Sequence, residues 1–164
     1  MVKKESDAIM GLEIERKYLV KHDLWKALFK PQGVNYRQGY LLSDKEKTIR
    51  VRATDLHGFI TIKGKTTGLS RLEYEYQIPL SEAIELLDTF TQNNIDKIRY
   101  KIDFEGKIWE IDVFSGANEG LIVAEIELES ESEKYLIPEW VDTEVTHDKR
   151  YYNSNLSETP FKNW

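Results

Sequence analysis

Charged residues recur at every second position through segment after segment of this sequence. Glu13, Glu15 and Lys17 begin the series. Arg50/Arg52, Lys63/Lys65, Arg71/Glu73/Glu75, Lys97/Arg99/Lys101, Glu110/Asp112 and Glu125/Glu127/Glu129 continue it. The positions between them are mostly apolar: Ile14, Val51, Ile62, Leu72, Tyr74, Ile98, Tyr100, Ile111, Ile126 and Leu128. Successive residues of a β-strand point to opposite faces, so each segment reads as a strand with one greasy and one charged face. Such strands pack the greasy face against something else and turn both signs of charge toward a shared space.

Eight strands are predicted, near 11–20, 34–43, 47–54, 58–65, 70–78, 96–104, 106–114 and 121–130, with turn signals at Asp55-Leu56-His57-Gly58 and Glu105-Gly106-Lys107. Helices are predicted at Asp23–Phe29, capped by Asp23, and at Ser81–Thr91, capped by Ser81 with Ala83, Ile84, Leu87 and Phe90 as its apolar stripe. The tail from about His147 to Leu156 is read as a third. The fold class is α+β, mainly β: an eight-stranded antiparallel barrel, closed because closure removes exposed edges, with a charged interior and a few helices outside. Residues 1–10 are read as an N-terminal extension and 11–164 as one domain.

The chain has 164 residues and a formal net charge of −6, which argues against nucleic acid or an anionic membrane as partner. Cysteine is absent, removing disulfides, thiolate nucleophiles and zinc–cysteine sites together. With no apolar run long enough to span a bilayer, the expected location is cytoplasmic. Oligomeric state stays open, a homodimer included.

A dry lining of ions is costly unless its geometry is good or a ligand completes it. Arg50, Arg52, Arg71 and Arg99 offer planar forks suited to phosphate oxygens, while Lys17, Lys63, Lys65 and Lys97 act as compact charges. The acids would repel those phosphates unless hard cations lie between, so Glu13, Glu15, Glu125 and Glu127 imply Mg²⁺ or Mn²⁺. Acids and bases together point to a metal-bound oligophosphate.

These residues carry a family resemblance. The chain resembles the CYTH domain, or triphosphate tunnel metalloenzymes, whose E-x-E-x-K signature stands here as Glu13-Ile14-Glu15-Arg16-Lys17. The likeness continues through Arg37-Gln38-Gly39-Tyr40-Leu41, Arg50-Val51-Arg52, Thr61-Ile62-Lys63-Gly64-Lys65, Arg71-Leu72-Glu73-Tyr74-Glu75, Lys97-Ile98-Arg99-Tyr100, Glu110-Ile111-Asp112 and Ala124-Glu125-Ile126-Glu127 to Asp148-Lys149-Arg150-Tyr151. The resemblance implies an eight-stranded tunnel, and for a small member of this form inorganic triphosphatase activity. It assigns metal binding to Glu13, Glu15, Glu125 and Glu127, with Glu73, Glu75 and Asp112 as supporting ligands. Phosphate contacts fall to Lys17, Arg50, Arg52, Lys63, Lys65, Arg71, Lys97 and Arg99, with Arg150 at one mouth. Lys97 would stabilise the transferring phosphoryl group or move a proton, Tyr40 would orient the water, and Glu15 would hold the metal that activates it.

Other functions start from parts of the same pattern. A nucleoside or thiamine triphosphatase presents the same group to the same charges. An adenylate cyclase of this family needs a nucleoside pocket, for which no aromatic pair stands out. A polyphosphate-binding module would use the bases but has no need of the acids, and a lipocalin-like carrier wants an apolar interior.

Overall fold

The structure, a computed structural model, describes residues 11–164, so the N-terminal extension read from the sequence lies outside the described residues. Among the described residues the strands are β1 (Leu12–Val20), β2 (Val34–Ser43), β3 (Lys47–Thr54), β4 (Gly58–Gly64), β5 (Ser70–Ile78), β6 (Ile95–Phe104), β7 (Lys107–Phe114), β8 (Ile122–Glu127) and β9 (Val141–Glu144). The helices are α1 (His22–Ala27), α2 (Leu80–Phe90) and α3 (Asn153–Glu158). Neighbouring strands follow the order β5-β4-β3-β2-β6-β7-β8-β1, every pair antiparallel, and β1 returns to β5 through Leu12↔Leu72, Glu13↔Arg71 and Ile14↔Ser70. This is the closed eight-strand ring expected from the sequence.

The ninth strand is an addition that the alternation does not signal. It occupies the part of β1's edge that β5 leaves open, pairing Tyr18 with Glu144 and Val20 with Val141. Two neighbours thus share one edge of β1, and its backbone groups find partners along its length.

Cross-strand partners share a face, so register alone shows which side chains point inward. Glu15 opposes Glu127, Lys17 opposes Glu125, Arg99 opposes Asp112, Lys63 opposes Glu73 and Glu13 opposes Arg71. The main hydrophobic layer therefore lies outside the ring. Ile14, Tyr18, Trp109, Ile111, Ala124 and Ile126 pack beneath Trp25 of α1 and Trp140, with Trp109 and Trp140 edge to face at 5.8 Å. A second layer joins Val51 and Ala53 of β3 to Ala83 and Leu87 of α2. A third closes one end of the interior, where Ile95, Phe114, Leu121 and Val123 meet Leu156 of α3.

Helix details differ from expectation. Neither Asp23 nor Ser81 caps: α1 begins after Lys21 and α2 after Pro79, neither with a side-chain cap. The Lys21 N–H bonds the Trp140 carbonyl, fixing the entry to α1 from outside the helix. The stripe of α2 narrows to Ala83 and Leu87, leaving Ile84 and Phe90 in solvent. The tail helix is interrupted by a 3₁₀ turn at Lys149–Tyr151 and extends beyond Leu156. Gly39 has a specific cause: a Cβ there would lie 2.3 Å from Asn94 Oδ1 and 2.6 Å from Thr91 Oγ1, the residues that follow α2.

Candidate active site

Ring order sorts the charges by strand. Of the adjacent strands β4, β3, β2 and β6, three supply the cations Lys63 (β4), Arg50 and Arg52 (β3), and Lys97 and Arg99 (β6) to the lining, while β2 adds the uncharged Tyr36, Gln38 and Tyr40. The other four, β7, β8, β1 and β5, carry the lining acids Glu110, Asp112, Glu125, Glu127, Glu13, Glu15, Glu73 and Glu75, together with Lys17 and Arg71. A basic arc thus faces an acidic arc across one narrow interior.

Asp112, completely buried, is the most tightly held group. Arg99 donates Nε–H to Asp112 Oδ1 and Nη2–H to Oδ2, each at 2.7 Å, and Lys97 Nζ donates to Oδ2 at 2.6 Å. Burial would raise this carboxyl, but Arg99 and Lys97 hold it below its ordinary value. Lys97 fares differently. Burial pushes its ammonium down to about 8, and Asp112, already shared with the neighbouring Arg99, returns only part of that cost.

Lys17 and Arg99 both bond Glu125, the latter at 3.1 Å. Glu125 is thereby held well below the usual carboxylate range despite burial. Lys63 Nζ and Arg71 Nε each donate to Glu13 at 2.8 Å and likewise hold it low against burial. Glu73 is pushed up to about 7 by burial, with Glu13 beside it. Glu75 accepts from Thr61 Oγ1 at 2.7 Å and from Arg52 Nη2 at 3.0 Å, with Arg50 Nη2 at 3.4 Å. It therefore positions both arginine forks.

Glu15 stands apart. Its nearest cations, Lys17 and Arg71, are 3.8 and 3.9 Å away, and burial together with Glu13 and Glu125 raises its proton affinity. A divalent cation would relieve that excess of negative charge, and the surrounding donors are all oxygen, as Mg²⁺ or Mn²⁺ requires. Among the described residues no three acids are grouped as ligands of one ion; the neighbouring cations draw them apart. Glu13, Glu15 and Glu125, with the exposed Glu127 opposite Glu15, offer oxygen donors of the kind a hard divalent cation takes.

Most residues singled out in the sequence converge on this interior, but Lys65, Arg150, Glu129 and Lys101 do not, and Glu127, opposite Glu15, is exposed. Lys65 lies beyond the end of β4, largely in solvent and 3.4 Å from Glu46, because the strand stops at Gly64. Arg150 bonds Asp148 in an outer cleft of about 510 Å³ that also includes Arg16, Glu144 and His147. Glu129, past β8, is exposed. Tyr40 is on the inward face opposite Arg50, and burial raises its phenol, so it stays protonated at neutral pH.

Four lining residues have no assigned role in the sequence reading, although Gln38 and Thr61 stand within its motifs. Tyr36 lies 5.0 Å beneath the Arg52 guanidinium and 5.3 Å from that of Arg99. Thr61 anchors Glu75, and Asn153 of α3 accepts from Lys97 Nζ at 3.3 Å. Gln38 is fully buried. Alternation about Tyr40 carried a signal for Tyr36 and Gln38; nothing local announced Asn153.

The chain is similar to known proteins. The CYTH domain family matches residues 11–160. The chain is 52% identical to an inorganic triphosphatase of Acetivibrio thermocellus, across 94% of this chain and 99% of that one. It is 37% identical to an inorganic triphosphatase of Nitrosomonas europaea, across 88% and 96%. A crystal structure of an inorganic triphosphatase superposes with a TM-score of 0.62 at 33% identity, covering 88% of this chain and 93% of that one.

Proposed function

This chain belongs to the CYTH domain family, and we propose that it is a divalent-metal-dependent hydrolase that cleaves inorganic triphosphate to pyrophosphate and phosphate. The observation that carries this reading is the division of one closed interior into a basic arc and an acidic arc. A chain of phosphates lies against the first, and the second holds metal. The identity to relatives named inorganic triphosphatase supports the choice of substrate.

Bound at Glu13, Glu15, Glu125 and Glu127, Mg²⁺ or Mn²⁺ would neutralise phosphate charge and make a bound water acidic enough to attack at neutral pH. Arg50, Arg52, Arg71 and Arg99 grip phosphate oxygens in forks, and Lys17, Lys63 and Lys97 add point charges. Asp112 holds Lys97 and Arg99 in position, and Glu75 with Thr61 holds Arg50 and Arg52. We assign these two acids, and Glu73 beside Glu13, supporting roles. Lys97 meets the charge developing on the transferred phosphoryl group, and the protonated Tyr40 donates a hydrogen bond that orients water. Because these groups are already fixed, they stabilise the transition state with little reorganisation. Lys65 and Arg150, both in solvent, are left out of the contact set.

The proposed location is cytoplasmic; among the described residues no helix is long and apolar enough to cross a membrane. We also propose a homodimer, for which Leu72, Tyr74 and Tyr76 supply an exposed apolar face on β5. Concentration-dependent sedimentation tests it. The catalytic proposal is tested by phosphate release from inorganic triphosphate, ATP and thiamine triphosphate with Mg²⁺, Mn²⁺ or Ca²⁺. Strong preference for the inorganic substrate supports it; cyclic AMP from ATP, or no release with any metal, rejects it.

A further inference from the structure

Gln38 lies on β2, the strand directly across the ring from β1 and flanked by β3 and β6. Its cross-strand partners are Arg52 and Ile95, and Arg52 lines the interior, so the Gln38 side chain is turned inward with it. The residue is completely buried, yet neither Nε2 nor Oε1 has a hydrogen-bond partner. The Nε–H groups of Arg50 and Arg52 are likewise unpartnered, although their Nη2 atoms bond Glu75. Elsewhere the lining ties its cations to acids, as Glu13, Asp112 and Glu125 show. Within the lining, the unpartnered donors therefore gather on the basic arc; the remaining one among the described residues, Trp109 Nε1, lies in the outer hydrophobic layer.

A buried carboxamide without a partner destabilises a fold, and an apolar side chain of similar size would avoid that cost. Its retention is explained if something outside the chain completes it. The position also suits a neutral donor. Arg50 already disfavours the charge on Arg52, and Arg99 that on Lys97, so another cation between β3 and β6 would add repulsion. An amide supplies an N–H without charge.

We propose that Gln38 is a substrate-binding residue: Nε2 donates to a phosphoryl oxygen of bound triphosphate beside the Nε–H groups of Arg50 and Arg52, and Oε1 accepts from a water ordered on that phosphoryl group. This rests on the triphosphatase reading above, deepening it by one contact. Nothing in the metal-binding acids is required for it, so it is measurable as binding of tripolyphosphate without metal.

The test is calorimetric titration of wild type, Gln38→Met and Gln38→Glu with tripolyphosphate in EDTA, followed by steady-state kinetics with Mg²⁺ and by melting of the ligand-free proteins. Gln38→Met removes both orphan atoms at similar volume. It is expected to melt at or above the wild-type temperature while Kd and KM rise about ten- to a hundredfold, the loss typical of a hydrogen bond to a charged group. Gln38→Glu, an isostere with a negative charge, is expected to lose more. Wild-type affinity and KM in Gln38→Met overturn the inference; if that variant does not fold, unchanged affinity in Gln38→Glu does so. A wild-type protein that neither binds nor hydrolyses tripolyphosphate overturns the triphosphatase reading itself.

Discussion

Replacing Asp112 by Asn leaves shape almost unchanged and removes one negative charge from a site closed to water. Asp112 is 0% exposed, and its Lys97 and Arg99 side chains are 1% and 9% exposed, so solvent screening recovers little of the loss. Arg99 keeps Glu110 and the 3.1 Å contact with Glu125. Lys97 loses its carboxylate, keeping the carbonyl oxygen of Asn153 at 3.3 Å. Breaking a buried ion pair from one side typically costs about 3–5 kcal/mol, because the other charge stays behind. For a chain of this size that corresponds to a melting temperature lower by about 6–20 °C. Differential scanning calorimetry without ligand measures it. Tripolyphosphate, which replaces the missing negative charge, should then raise the melting temperature of Asp112→Asn more than that of wild type. A ligand-free variant that melts within about 1 °C of wild type, far inside the shift expected for so large a loss, would show that Asp112 does not neutralise Lys97 as described.

Glu15→Gln should behave oppositely in stability: burial, Glu13 and Glu125 all disfavour the Glu15 charge, so the metal-free melting temperature is expected to hold or rise. Mg²⁺-dependent phosphate release should meanwhile fall by orders of magnitude, and near-normal turnover removes Glu15 from the metal site. Lys97 binds phosphate as an ammonium, so kcat/KM is expected to fall as pH rises through about 8, with Lys97→Arg moving that limb upward. The same group makes folding more favourable as pH rises from about 8 to 10.5, since the unfolded chain there holds a proton that the folded chain has released. Chemical denaturation of wild type against Lys97→Met isolates that slope, and its absence from the difference contradicts the assignment. Gly39→Ala should cost about 1–3 kcal/mol through overpacking against Asn94 and Thr91 while folded protein retains its kcat; an unshifted denaturation midpoint counts against the contact.

The closed ring was legible in the sequence because a period of two commits each side chain to one of two faces. Once Arg50, Lys97 and Glu125 were on charged faces, a shared interior followed. Pairing order was not legible. Lys63 opposes Glu73 in register and stays within 3.7 Å of it, yet its hydrogen bonds go to Glu13 on another strand, which barrel closure brings near. The basic and acidic arcs emerge from that order too. β9 gave no signal, since Val141–Glu144 carries one apolar residue and exists to fill the free edge of β1. Gln38 was passed over because a neutral side chain does not stand out in a pattern read through charge, and Asn153 because α3 reaches Lys97 only through tertiary packing.

The occupied interior can be seen directly by crystallising the Glu15-intact protein with Mn²⁺ and a slowly hydrolysed triphosphate analogue, with anomalous data collected at the manganese edge. Phosphate density against Arg50, Arg52, Lys97 and Arg99, with an anomalous peak on the side of Glu13, Glu15 and Glu125, is the expected result. Manganese and phosphates bound only on the outer surface, with the ion pairs of the interior unchanged, would contradict the division of the barrel on which the proposed chemistry depends.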